Sequence, residues 1–186
     1  MNKSIQSIGL ASILSLLVQG CAVLNQQEYR PLEVVENVEI NKYMGTWYEI
    51  ASIPMSFQEN CTGTTATYSL NPDQSVEVFN QCFQNTLDGP INKIKGSAWI
   101  ANPDNQAKLK VQFFWPFSGD YWLIELDDNY QHAVVGHPSR NYLWILSRQP
   151  DLEEGIYESL LEKIQAKGYD LDRIKKTPQK TASITP

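Results

Sequence analysis

Lys108-Leu109-Lys110-Val111-Gln112-Phe113-Phe114 is the stretch that decides the fold class. Leu109, Val111 and Phe113 alternate with Lys110 and Gln112, the period of two that sends successive side chains to opposite faces of a strand. Ahead of it stands Asn102-Pro103-Asp104-Asn105, which is turn chemistry, and before that the strand-like Ile94 to Ile100. Downstream, Pro116 to Gly119 breaks the chain, Tyr121 to Leu126 runs to Asp127-Asp128-Asn129, and His132 to Gly136 follows. Tyr142 to Ser147 comes last, after His137-Pro138-Ser139-Arg140. Upstream, Trp47 to Ile53 ends at Pro54, and Thr64 to Leu70 and Ser75 to Phe79 flank Asn71-Pro72-Asp73-Gln74. The class is all-β, with about eight short strands and short connections. Eight antiparallel strands close into an up-and-down β-barrel just wide enough for one small ligand. An open sandwich shares this rhythm, so spacing alone leaves both architectures standing.

Beyond Pro150-Asp151 the period changes to that of a helix, expected over 151–167. Glu153 and Glu154 suit the positive end of its dipole, and Gly168 is a natural stop. Ile156, Leu160, Leu161 and Ile164 make one apolar stripe. A stripe of this size is expected to pack on the chain's own barrel rather than lie on a membrane.

The amino terminus reads as an export signal. Met1-Asn2-Lys3 carries one positive charge, Ile5 to Val18 is mostly apolar, and Leu17-Val18-Gln19-Gly20 precedes Cys21. The apolar run is shorter than the roughly 20 residues of a membrane span. A cysteine directly after the cut resembles the lipobox of bacterial lipoproteins, in which that residue is acylated. The resemblance makes Cys21 the lipidation site, and Ala22 in place of an Asp points to the outer membrane, facing the periplasm. Several acyl chains on one residue, at about 0.8 kcal/mol per buried methylene, make a lasting anchor. The alternative is a soluble secreted chain with an incidental cysteine. On the anchored reading, residues 1–20 are a signal peptide, 21–37 a polar tether, 38–178 the folded domain and 179–186 a tail.

The formal net charge of −6 becomes −7 (−6 − 1) when Lys3 leaves with the signal, and no basic cluster exceeds Lys175-Lys176. Nucleic acid, whose binding rests on neutralising phosphates, is not an expected partner. Cys61 and Cys82 remain, an even pair that an exported domain most simply joins as a disulfide. A hairpin at Asn71-Pro72 brings them almost opposite one another. If Ala66, Tyr68, Val76 and Val78 share a face, however, the two cysteines differ in parity. The bridge then needs a bulge, or Cys61 must lie ahead of the regular strand. Metal binding is the rival, and two thiols with the distant His132 and His137 are a poor ligand set, so no metal site is expected.

Three motifs then stand in order. Gly45-Thr46-Trp47-Tyr48 resembles the G-x-W signature of the lipocalins, and Gly119-Asp120-Tyr121 resembles their second motif with Gly in place of Thr. Tyr142-Leu143-Trp144-Ile145-Leu146-Ser147-Arg148 is similar to the third, ending in its arginine, with a helix after it. The resemblance covers roughly residues 40 to 178 and is nearest to bacterial outer-membrane lipoprotein lipocalins and their apolipoprotein D-like relatives. It implies an eight-stranded antiparallel barrel with one flanking helix, holding a small hydrophobic ligand. Gly45, Trp47 and Arg148 are then structural. Trp47 closes the barrel floor and Arg148 lays its guanidinium over the indole, a contact contributing about 0.5–2 kcal/mol.

With Arg148 reaching inward, period 2 assigns the same face to Trp144 and Tyr142. The parity continues to Leu109, Val111 and Phe113, and to Tyr121 and Leu123. Ala98 and Ile100, and then Ala66 and Tyr68, complete the expected ligand-binding lining. Such a lining suits an acyl chain, which leaves water with no directional requirement. No G-x-S-x-G elbow, H-E-x-x-H or phosphate-cradling glycine loop is present, so no catalytic residue and no cofactor are expected. The expected function is storage or transport of a fatty acid or lysophospholipid, and a homodimer is left open. The rivals are an envelope-structural lipoprotein without a ligand and a lipid-modifying enzyme using a free cysteine.

Overall fold

A computed structural model describes residues 30–180 of the chain, so the expected signal 1–20, Cys21, residues 22–29 of the expected tether and residues 181–186 lie outside the described residues. One helical turn, α1 (Ile40–Tyr43), precedes β1 (Gly45–Ser52) and β2 (Cys61–Leu70). Then come β3 (Val76–Gln84), β4 (Ile91–Ile100), β5 (Lys108–Phe114), β6 (Phe117–Leu126), β7 (His132–Gly136) and β8 (Leu143–Ser147). The helix α2 (Glu154–Ala166) follows, and the two-residue β9 (Lys175–Lys176) comes last. Each strand pairs antiparallel with its neighbour from β2 to β8; β8 pairs with β1, and β1 with β2, so eight strands close into a barrel. β9 adds to β1 outside that ring. The sandwich alternative is thereby excluded.

The alternation in the sequence becomes two cores. Inside lie Trp47, Tyr68, Val76, Val78, Leu109, Leu123 and Leu146. Outside, Tyr157, Leu160 and Ile164 of α2 bury against Val134 of β7, Leu143 and Ile145 of β8, and Ile124 of β6. Burying each such side chain contributes about 1.5–3 kcal/mol. The continuous apolar runs Ala133-Val134-Val135 and Leu143 to Leu146 follow from this, because α2 covers the outer face that other strands show to water. The helix starts later than the expected 151, since the Asp151 carbonyl accepts the Ser147 hydroxyl instead of opening a helical turn.

Two expectations need correction. Pro116 to Gly119 is not a break between strands. Trp115-Pro116 forms a tight turn, Phe114 pairs with Phe117, and β6 runs straight through Gly119. Proline is tolerated because it sits in the turn, where its missing N–H removes no ladder bond. The resulting hairpin tip leaves Phe114, Trp115 and Phe117 exposed. The folded unit also exceeds 38–178 at both ends. Leu32 is buried, the Val35 N–H donates to the Leu123 carbonyl, and Gln179, placed in the tail, is bound into the barrel wall.

The parity conflict at the cysteines resolves through a bulge. Thr62 faces Phe83 and Thr65 faces Gln81, so β2 advances three residues while β3 advances two. Beyond the extra residue Cys61 opposes Gln84, on the face Cys82 shares, and the two form a disulfide with Cα atoms 5.4 Å apart. Gly63 carries the bend at φ +58, a left-handed conformation that suits glycine, and a Cβ there would lie 2.7 Å from the Phe83 ring.

Candidate functional site

The floor of the barrel is set by Arg148. Its guanidinium carbon lies 3.8 Å from the Trp47 ring centroid, and it donates to five backbone carbonyls, those of Lys42, Tyr43, Met44, Thr46 and Tyr130. Gly45 is required beside it, at φ +95 with only 3.3 Å between a built Cβ and Nη1. The Trp47 indole donates to the Tyr43 carbonyl at 2.8 Å. Above the indole the Tyr121 hydroxyl sits between those of Tyr43 (2.7 Å) and Tyr68 (2.8 Å). Burial pushes all three phenols up, Tyr68 to about 12, so they stand as a neutral chain joined by two hydrogen bonds.

A cavity of about 70 Å³ opens above this floor. Pockets for drug-sized molecules run to about 300–1,000 Å³, so this one is a small hollow that takes no more than a few methylenes unless its lining moves. Ala66, Tyr68, Val111, Phe113, Tyr121 and Trp144 line it, together with Val78 and Leu146. Ala98, Leu109 and Leu123 also point inward but are packed in the closed end, and Ile100 is half-buried opposite Leu109 at the end of β4. Tyr142 is the correction. β8 begins at Leu143, so the parity of Trp144 does not extend to Tyr142, which is exposed and meets the His137 ring edge-on at 5.2 Å on the outside. A wider hollow of about 430 Å³ beneath the floor is an open dish around Lys42, Tyr130 and Arg148, whose guanidinium is already committed to carbonyls.

Sequence reasoning missed the polar part of the lining: Glu49, Gln58, Thr64 and Asn80, with Met55 beside them. Glu49 is buried, and its Oε1 accepts from Thr177 Oγ1 (2.6 Å) and Ser52 Oγ (2.9 Å). Burial raises its carboxyl pKa, and the two hydroxyl hydrogen bonds lower it by less. The signal for these residues was present. Glu49 is two residues from Trp47, Thr64 two from Ala66 and Asn80 two from Val78, so period 2 places all three inside.

The two histidines and the two cysteines weighed for catalysis or metal binding are placed apart or bonded. His137 faces Asp120 across 3.9 Å on the outer side of β6, where Lys110 pairs with the same carboxylate at 2.8 Å. Among the described residues, no three metal-ligating side chains converge, and Cys61 and Cys82 are bonded to each other, so neither offers a thiol.

Comparison with known proteins agrees with this geometry. A family model described as a lipocalin-like domain matches residues 38–179. Temperature-induced lipocalin-1 of Arabidopsis thaliana is 47% identical over 161 residues, 82% of this chain and 85% of the relative. Outer membrane lipoprotein Blc of Escherichia coli K12 is 37% identical over 163 residues, 88% of this chain and 90% of the relative. Among solved structures, insecticyanin from the tobacco hornworm Manduca sexta superposes with a TM-score of 0.63 at 20% identity, over 82% of this chain and 90% of that one. That likeness concerns the fold alone.

Proposed function

The chain belongs to the lipocalin-like family, and from that premise we propose that it is a carrier holding the acyl chain of a fatty acid or lysophospholipid in its barrel. The observation that carries this reading is the small cavity between Ala66, Val78, Val111, Phe113 and Trp144, apolar on most of its wall, which an acyl chain enters by moving the lining side chains apart. Methylenes entering such a space leave water at about 0.8 kcal/mol each and need no directed partner. The phenol chain beneath, three hydroxyls joined by two hydrogen bonds, forms the floor. The work is binding and release for lipid storage or transport, with no bond made or broken.

The proposal includes an address. The sequence around Cys21 and the name of the bacterial relative, an outer membrane lipoprotein, support acylation of Cys21 and anchoring to the outer membrane on its periplasmic face. Mass spectrometry of the full-length protein from a membrane fraction tests the anchor, with an unmodified Cys21 as the contrary result.

Binding is tested on the full chain carrying Cys21→Ser, so that no anchor competes for the cavity. Solvent extraction should release single-chain lipids, and calorimetric titration with palmitate and with palmitoyl-lysophosphatidylcholine should show saturable, one-to-one binding. An extract without lipid, together with no saturable heat from either titrant, removes the carrier reading and leaves an envelope-structural one.

A further inference from the structure

One wall of the cavity is polar, and nothing in the carriage of a bare hydrocarbon chain explains it. β1, β2 and β3 supply Glu49, Thr64 and Asn80. Register places them together: Ala66 pairs with Trp47 on one side and with Asn80 on the other, and Glu49 and Thr64 stand one inward step nearer the mouth. The bulge at Gly63 leaves β1 and β2 unpaired beyond Tyr48 and Thr65, and the carboxy-terminal segment fills that seam. Gln179 Nε2 donates to the carbonyls of Glu49 (2.8 Å) and Thr64 (2.9 Å), and the Gly63 N–H donates to the Pro178 carbonyl at 2.7 Å. The two inward side chains are therefore held side by side by backbone ties.

Their hydrogen-bonding capacity is not used up. Both hydroxyl donors to Glu49 meet Oε1, and among the described residues Oε2 accepts nothing. Among the described residues Thr64 Oγ1 and Asn80 Oδ1 are buried without a hydrogen-bond partner, and Thr64 is 5% exposed. An unsatisfied buried polar atom is destabilising, a cost that a ligand able to reach it removes. The facing wall, Val111, Phe113 and Trp144, is apolar apart from the indole N–H, and no Lys, Arg or His lines the cavity among the described residues.

We propose that Glu49, Thr64 and Asn80 form a subsite for an uncharged hydroxyl, selecting a long-chain alcohol or a monoacylglycerol over the carboxylate of a free fatty acid. A hydroxyl donates one hydrogen bond and accepts others, which matches an orphaned amide oxygen beside a threonine hydroxyl and a carboxyl group. A carboxylate has no cation there to meet it. Beside an ionised Glu49 it is repelled; beside a protonated one it must share a single proton in a buried site with the remaining charge unbalanced. Either state of Glu49 therefore favours the neutral ligand. This inference rests on the carrier reading above.

The test uses the full chain carrying Cys21→Ser at pH 8, titrated with laurate and with 1-dodecanol, which are matched in chain length, and with palmitoyl-lysophosphatidylcholine as a reference. The expected result is dodecanol binding about tenfold or more tighter than laurate, because the carboxylate meets like charge and no cation in the site. Glu49→Gln should bring laurate to within about threefold of dodecanol, by removing the charge. Thr64→Val, nearly isosteric, should weaken dodecanol about threefold or more without improving laurate, and it decides the matter if Glu49→Gln does not fold. Equal or tighter binding of laurate to the unsubstituted subsite, or a gap that neither variant changes, overturns the subsite. If lysophosphatidylcholine still saturates, only the subsite falls; if none of the three lipids saturates, the carrier reading falls with it.

Discussion

Arg148 holds three separate pieces of chain to one another: the turn before β1, the start of β1 itself, and the Tyr130 loop ahead of β7. A charged donor to a carbonyl contributes about 1.5–3 kcal/mol where the group is shielded from water, and the stacked indole adds about 0.5–2. Because these contacts are half-exposed and not additive, Arg148→Ala is expected to lower stability by about 2–4 kcal/mol in urea denaturation. Arg148→Lys should recover less than half, since an ammonium cannot reproduce the planar fork. This pair was legible from sequence because a short motif fixes it. Glu49 was not, although the same parity that put Trp47 inside also assigned it. A charged residue contradicts the expectation of an apolar interior, and the reading stopped at residues that agreed with it. The pH consequence has a definite sign. Burial raises the Glu49 carboxyl above its unfolded value, so its contribution to stability is full below the unfolded pKa and is lost as pH rises through the folded one. Denaturation midpoints taken from pH 4 to pH 8 should therefore fall for the wild type relative to Glu49→Gln. A gap between the two proteins that is flat across that range contradicts this assignment.

At the scale of elements, strands were easier to read than their ends. Leu109, Val111 and Phe113 define β5, whereas the tight turn at Trp115-Pro116 cannot be told from a longer break, because proline punctuates turns and interruptions alike. Tyr142 fell off the inner face because parity was carried one residue past the start of β8. The β2 bulge was legible only as a conflict: the cysteines could not meet on a regular hairpin, and one extra residue near Gly63 settles it. The disulfide closes a loop with a sequence separation of 21, so removing it with Cys61→Ser and Cys82→Ser together should cost about 3 kcal/mol by the chain-entropy argument, read as a lower denaturation midpoint. The closing strap of the seam left no periodic signal at all, since Thr177 and Gln179 act through two hydrogen bonds each, Thr177 to β1 and Gln179 to β1 and β2. Gln179→Ala should accelerate amide exchange in β1 and β2 beside Glu49 and Thr64 while leaving the β5–β6 hairpin unchanged.

For the molecule as a whole, closure of the sheet separates two jobs that the sequence mixes in one alternating pattern. The outer apolar face of β7 and β8 is covered by α2, and the lower half of the barrel is solid with Leu109, Leu123, Val76 and Trp47. Only the upper half has space, and its wall divides into an apolar side from β5, β6 and β8 and a polar side from β1 to β3. The architecture and the apolar lining could be read in the sequence because both follow from period 2. The division of the wall could not, because it depends on which inward residues lie above the packed layer and on a strap far away in the chain. The central claim is that an acyl chain enters the upper half and lies against Trp144. It is tested by titrating the full chain carrying Cys21→Ser with a lysophosphatidylcholine brominated along its acyl chain, following tryptophan fluorescence with and without Trp144→Phe. The account predicts saturable one-to-one quenching whose amplitude largely disappears in the Trp144→Phe protein. Quenching that never saturates, or that persists undiminished without Trp144, would contradict it.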